Sequence, residues 1–191
     1  PVKIVTTGEG GAVLTNDSKL AKKMSLLCSH GITKDSDDMT CASDGSWYYQ
    51  QIMLGFNYRM TDIQATLGVE QLKRLSGYVS KRNDIAVVYS QSLYELSIQL
   101  PVELPDVISA YHLYIILLPV GTSNEVRSTF FDKIREMGIG VNVHYIPIHT
   151  QPYYQSLGFK KGDFPVAEDF YNRAITLPLF PLLKDVEIER V

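Results

Sequence analysis

The residues best suited to covalent chemistry stand at the start of the chain, in Pro1-Val2-Lys3-Ile4-Val5-Thr6-Thr7-Gly8-Glu9-Gly10-Gly11. Lys3 sits on a short apolar run. A threonine pair and a glycine-rich turn follow, with Glu9 as the turn's only charge. Ala12-Val13-Leu14-Thr15 is a second apolar run, so the stretch reads as strand, glycine turn, strand, a hairpin. A lone lysine is usually a solvated surface cation. Its apolar neighbours favour a second reading: an amine partly removed from water, with a depressed pKa, able to form an imine with a carbonyl.

A second group is Asn57-Tyr58-Arg59, which follows the aromatic cluster Trp47-Tyr48-Tyr49. Thr61-x-x-Gln64 behind it is a capping box, so the triple lies in the turn before a helix N-terminus. Such a place gathers oriented N–H groups and favours anions. A carboxamide and a guanidinium there could hold a phosphate, although from the turn alone an ordinary turn asparagine and a surface ion-paired arginine are the plainer reading. A third group is His144-Tyr145-Ile146-Pro147-Ile148-His149. Two histidines suggest a metal, but no carboxylate or cysteine completes a set nearby. Structural histidines and a binding rim remain open.

The elements that must position these groups follow from periodicity. Asp17 or a neighbour caps a helix with Leu20, Ala21, Met24 and Leu27 on one face, ended by Ser29-His30-Gly31. Residues 33–46 are polar and read as a mobile loop, either a binding loop or a solvated excursion. A helix runs from Ile63 to Leu75 with Ala65, Val69 and Leu72 on one face, and Gly77 is expected to break it. Tyr78 to Leu96 is a second amphipathic helix. Beyond Leu100 the texture changes. Tyr111–Leu118 reads as a buried strand, with His112 a structural histidine, and Ser123–Met137 as a helix closed by Gly138. Residues 140–145 alternate like a strand, with Val141, Val143 and Tyr145 on one side and Asn142 and His144 on the other. Short helices are expected at 151–157 and 164–173, then a rigid apolar strap at 174–181.

Four segments, at residues 1–16, 47–67, 139–150 and 174–183, resemble in order those of the sugar-nucleotide aminotransferases, the DegT-type family of fold-type I pyridoxal-phosphate enzymes. The resemblance implies an α/β fold: the last strands of a large cofactor-binding domain in residues 1–77, a linking helix at 78–98, and a small C-terminal domain at 99–191. It implies that Lys3 carries pyridoxal 5'-phosphate and shuttles the proton of the transfer. It implies that Asn57 reaches the phosphate of the partner subunit's cofactor in a homodimer, with Arg59 and Tyr58 in support. His144, Tyr145 and His149 become the substrate rim. The reaction implied moves an amine from an amino acid, typically glutamate, to a nucleotide-linked keto sugar of polysaccharide or amino-sugar biosynthesis, such as a 4-amino-4,6-dideoxy hexose. The aspartate for the pyridine nitrogen and the hydroxyl side chains of the phosphate cup are expected upstream. Relatives that use the cofactor for sugar dehydration replace the lysine with histidine, so Lys3 argues for transfer. The rival from another class is a non-catalytic sugar-nucleotide-binding or assembly module. Reading Gly8-Glu9-Gly10-Gly11 as a nucleotide-phosphate loop is poor, because Glu9 intrudes and no lysine-serine ending follows.

Composition is consistent with this. Of the 191 residues 45% are hydrophobic and 20% charged, the balance of a globular protein. The net charge of −3 gives no support for a nucleic-acid surface. No run of about 18 apolar residues suggests a membrane span. Cys28 and Cys41 show no metal-type spacing and read as reduced thiols of a cytoplasmic protein. The chain opens without methionine inside an expected hairpin and stops inside an expected helix, so it reads as a piece of a longer protein.

Overall fold

Asp17 begins the first helix because its carboxylate accepts from the backbone N–H groups of Lys19 and Leu20 at 2.8 and 3.1 Å. In the computed structural model, which describes residues 3–191, that helix (α1) spans Ser18–Cys28. It ends where Gly31, at φ +69°, turns its N–H back to the Leu26 carbonyl at 2.7 Å. Two short strands, β1 (Ile32–Thr33) and β2 (Gln50–Gln51), pair antiparallel and close the polar loop between them. That loop is stitched rather than loose. The Gln50 side chain accepts from Thr40 N–H at 2.7 Å and donates to the Cys41 carbonyl at 3.2 Å, while Lys22 pairs with Asp38 at 2.6 Å.

The expected hairpin at the start does not form a ladder among the described residues. A two-stranded ribbon is marginal unless a third strand or a packed face supports it. Here Val13 and Leu14 stay 73% and 93% exposed. The turn itself is present: Gly8 takes φ +81°, and the Thr7 hydroxyl donates to the Glu9 carbonyl at 2.9 Å. Pro1 and Val2 lie outside the described residues.

Helix α2 runs unbroken over Asp62–Ser92, so Gly77 does not end it. One helical glycine costs only about 1 kcal/mol against alanine. That cost is offset further along the helix, where Ile85, Ala86 and Tyr89 are buried. The chain divides into two compact units, Pro1–Lys73 and Arg74–Val191, and α2 passes from one into the other.

The second unit is built on β3 (Tyr114–Leu117) paired antiparallel with β4 (Ala174–Leu177), with Tyr114 opposite Leu177 and Leu117 opposite Ala174. The expected strap thus begins as a paired strand, buried at all four positions. Helices α3 (Asn124–Glu136, capped by Ser123), α4 (Pro152–Ser156), α5 (Pro165–Arg173) and α6 (Asp185–Arg190) complete it. Tyr89 donates to the Pro178 carbonyl at 2.8 Å, and burial pushes its pKa up to about 12. The expected strand at 140–145 reduces to one bridge, Asn142 with Thr176. Val141 enters the core, but Tyr145 points out, so the alternation ends before it.

Candidate active site

In the first unit the candidate site is assembled by close backbone crossings. Phe56 N–H donates to the Leu27 carbonyl at 2.7 Å, His30 N–H to Phe56 at 2.8 Å, and Tyr58 N–H to Cys28 at 3.0 Å. The segment carrying Asn57 is therefore fastened to the end of α1 on both sides of the asparagine. The crossing needs glycine: a Cβ on Gly55 would stand 2.1 Å from the Gly31 nitrogen. Phe56 and Tyr58 stack at 4.9 Å, and Asn57 and Arg59 are exposed.

The capping box forms as read. Thr61 N–H donates to Gln64 Oε1 at 3.0 Å, and Gln64 N–H donates back to Thr61 Oγ1 at 3.3 Å. Beside this helix start, Glu9, Gly10 and Gly11 share a recess of about 240 Å³ with Tyr58, Arg59 and Met60. Lys3 is exposed and lines an adjoining apolar cleft of about 420 Å³ with Thr7, Ala65, Val69 and Leu72. The fold thus brings the glycine turn after Lys3 and the Tyr58-Arg59 end of the second motif to one end of α2. Such a recess sets the Arg59 guanidinium beside a helix start and Gly10-Gly11, a combination suited to an anionic group, with Glu9 as the one opposing charge on its lining.

In the second unit, Tyr145 is 61% exposed and lines a cleft of about 640 Å³ with Phe164 and Phe170. His144 stands edge-on to its ring at 4.5 Å and shares a hydrogen bond of 2.8 Å between Nδ1 and Thr176 Oγ1. His149 is buried. Its Nε2 is bonded to Glu168 Oε1 at 2.8 Å, and Phe164 covers its ring at 4.8 Å. Glu168 was not a candidate in the sequence, where it is one acid on a helix 19 residues away. Its partner becomes visible only when α5 folds against the 3-10 turn Ile148–Thr150. Among the described residues no group of three or more His, Cys, Asp or Glu side chains is placed to hold a metal. No described helix is long and apolar enough to cross a membrane.

The hydrogen bond from His149, aided by Gly162 N–H, holds the Glu168 carboxyl below its ordinary value of 4.5. A carboxylate whose pKa is depressed by folding adds stability above its unfolded pKa and loses it as the pH falls through the folded value. Melting temperature is therefore expected to drop as the pH falls below 4.5, and Glu168→Gln to flatten that drop. Melting curves between pH 3 and 7, taken for both proteins, check this; parallel curves contradict it.

The family described as the DegT/DnrJ/EryC1/StrS aminotransferase family matches over residues 1–191. The chain is 37% identical over 192 residues to the spore coat polysaccharide biosynthesis protein SpsC of Bacillus subtilis, covering 99% of this chain and 49% of that protein. It is 34% identical over 181 residues to the UDP-4-amino-4,6-dideoxy-N-acetyl-beta-L-altrosamine transaminase of Campylobacter jejuni, covering 93% and 45%. Among solved structures, Helicobacter pylori PseC, an aminotransferase involved in the biosynthesis of pseudoaminic acid, superposes with a TM-score of 0.85 at 32% identity, over 97% of this chain and 47% of that one. Solved relatives of this fold include PLP and PMP forms. The chain spans about half the length of the curated relatives it matches. Its fold is that of part of a fold-type I pyridoxal-phosphate transferase. On a family match that runs from the first residue to the last, the chain belongs to the DegT/DnrJ/EryC1/StrS aminotransferase family.

Proposed function

We propose that the complete protein is a pyridoxal-phosphate-dependent aminotransferase that moves an amino group from an amino acid, glutamate for choice, to a nucleotide-linked keto sugar. The observation that carries this reading is local: the glycine turn after Lys3 and the Tyr58-Arg59 segment border one recess at the start of α2. The side chains fit the cofactor chemically. Lys3 offers a primary amine, the only kind of side chain that can bond an aldehyde carbon reversibly as nitrogen. Arg59 and the helix start offer positive charge for a phosphate, and Asn57 a carboxamide donor. When bound, the cofactor supplies an electron sink for the carbanion formed on the amino donor.

The chain's own residues do the rest. Lys3 Nζ would take a proton from the donor's α-carbon and release it again, the work of a positioned general base and acid. Asn57 reaches the cofactor of the partner subunit in a homodimer, with Arg59 in support of cofactor binding. Tyr145 and His144 face the sugar nucleotide, while His149, fixed by Glu168, holds that rim in shape. In this reading residues 1–77 complete the large domain, 78–98 link, and 99–191 form the small domain. The protein works in the cytoplasm. Lys3 counts against sugar dehydration. A non-catalytic sugar-nucleotide-binding module is the remaining rival.

The test is a panel of nucleotide-linked keto sugars given to the complete protein with pyridoxal phosphate and glutamate, with amino-sugar formation read by mass spectrometry. Amination of one or more supports the proposal; binding of the sugars without amination under all donors overturns it. The 191-residue chain alone is expected to show little or no transaminase activity, because about half of the length of its relatives lies outside it. An absorbance scan of that chain with added pyridoxal phosphate checks this, and strong reversible binding with turnover contradicts it.

A further inference from the structure

Two independent contacts join the glycine turn to the first two turns of α2. The Gln64 carboxamide serves both sides at once. Its Oε1 accepts from Thr61 N–H and Thr61 Oγ1, both at 3.0 Å, and so caps the helix. Its Nε2 donates to the Glu9 carbonyl at 2.9 Å, across 55 residues of sequence. One helical turn on, Gly68 is buried, and a Cβ there would stand 3.0 Å from Thr7 Cγ2. Positions 64 and 68 share one helix face. The Glu9 carbonyl also accepts from the Thr7 hydroxyl at 2.9 Å, so the turn's own bond and the bond from α2 meet on one oxygen. Among the described residues no strand ladder fixes residues 3–15, so these contacts set the register of the Lys3 segment on the helix.

We infer that Gln64 is the positioning residue of the Lys3 segment, with Gly68 providing the clearance that lets the turn seat. The inference rests on the reading of Lys3 as the cofactor-bearing amine. Gln64 also borders the recess at the start of α2, and the role inferred for it is to act through the turn. Its carboxamide fixes the Glu9 carbonyl, the turn then has one place on α2, and the amine six residues back lines the cleft formed with Ala65 and Val69. The same carboxamide keeps the first turn of α2 closed, so the helix start and the lysine segment are held as one piece.

Cap and clasp can be separated by substitution. Gln64→Glu keeps an acceptor for Thr61, since glutamate serves a capping box as well as glutamine. It removes the donor that α2 offers to the Glu9 carbonyl, leaving the turn's own Thr7 hydroxyl, and sets a carboxylate against that oxygen. Thr61→Ala does the reverse, weakening the cap and leaving the clasp. In the complete, cofactor-loaded protein, Gln64→Glu is expected to lower kcat about tenfold, since small misplacements of a reacting group are costly. KM for the amino donor stays within about twofold, as for an interaction that acts on the transition state alone. The pH midpoint of the bound cofactor's visible absorbance moves, and the melting temperature stays within about 2 °C. An unchanged kcat and an unchanged absorbance curve in folded Gln64→Glu overturn the inference. So does Thr61→Ala if it reproduces both changes, because the effect then belongs to the cap. Lys3→Ala, run alongside, separates the levels: if it keeps the wild-type absorbance curve and turnover, the reading of Lys3 fails, whatever Gln64 does.

Discussion

Lys3→Ala in the complete protein is expected to lower transaminase turnover by at least about a thousandfold, because one atom is asked to supply both nucleophile and proton shuttle. No neighbouring lysine in the described cleft can replace it, and its lining beyond Lys3 is threonine, glycine, methionine and small apolar side chains with Glu9. The loss will not come from unfolding. Lys3 is exposed, and substitutions at exposed positions away from caps and networks change stability by about 0.5 kcal/mol or less. Lys3→Arg is the informative companion. It preserves the positive charge but offers a guanidinium that stays protonated and does not attack carbonyl carbon. Both variants are expected to fail alike, which separates nucleophilicity from charge. Reduction of the loaded wild-type protein with borohydride should leave the cofactor's mass on the peptide that holds Lys3 and on none from the variants. Turnover within about tenfold of wild type in Lys3→Ala would overturn the reading of Lys3 as the cofactor-bearing amine.

The second large effect lies in the second unit. Arg82→Ala is expected to destabilise the fold by about 3–5 kcal/mol, the range of substitutions that strip a buried polar network. Arg82 is 7% exposed on α2, and one of its nitrogens, Nη1, donates to three carbonyls: Tyr111 at 2.9 Å, His112 at 3.3 Å and Leu179 at 2.9 Å. Burial lowers its pKa, and no carboxylate pairs with it among the described residues. The charge is thus held by carbonyl dipoles alone. Those carbonyls belong to chain segments that have no helix or strand to satisfy them. Tyr111 sits at φ +39°, a left-handed conformation uncommon for a bulky residue, with its N–H bonded to Ser109 Oγ and its carbonyl to Arg82. Removing the guanidinium releases both the crossing at Leu179 and the turn at Tyr111. Arg82→Met fills most of the volume without donors and is expected to recover only the cavity part of the loss. Urea unfolding of the three proteins, compared at equal m, measures this; a loss below about 1 kcal/mol for alanine would show that the carbonyls find water instead.

His149 and Gln64 show how far residue type predicts role. His149 was drawn toward the substrate by its place in a short histidine-tyrosine segment, yet its imidazole is buried against Glu168 and Phe164. Gln64 carried a legible capping signal, but the other end of its carboxamide answers a turn 55 residues away.

From the amino-acid order alone came most of the helices and several caps: the Asn16-Asp17-Ser18 start of α1, the Thr61–Gln64 box, the glycine stops at 31 and 138. These depend on bonds between residues three or four apart, so a short window of sequence contains both partners. The chemistry-bearing residues were legible for a similar reason, since an amine, a guanidinium and a carboxamide keep their character wherever they are placed. Strand pairing and the seating of side chains were decided by the tertiary structure. The run at 174–177 became a paired, buried strand because Tyr114–Leu117, some 60 residues away, supplies its carbonyls and amides. The runs at 3–15 and 140–145 have the composition of strands but little or no ladder, because a strand's bonds are made by a distant partner and not by itself. Whether Gly77 would stop α2 was likewise settled by what lies beyond it, the buried side of Ile85, Ala86 and Tyr89, which no local propensity records.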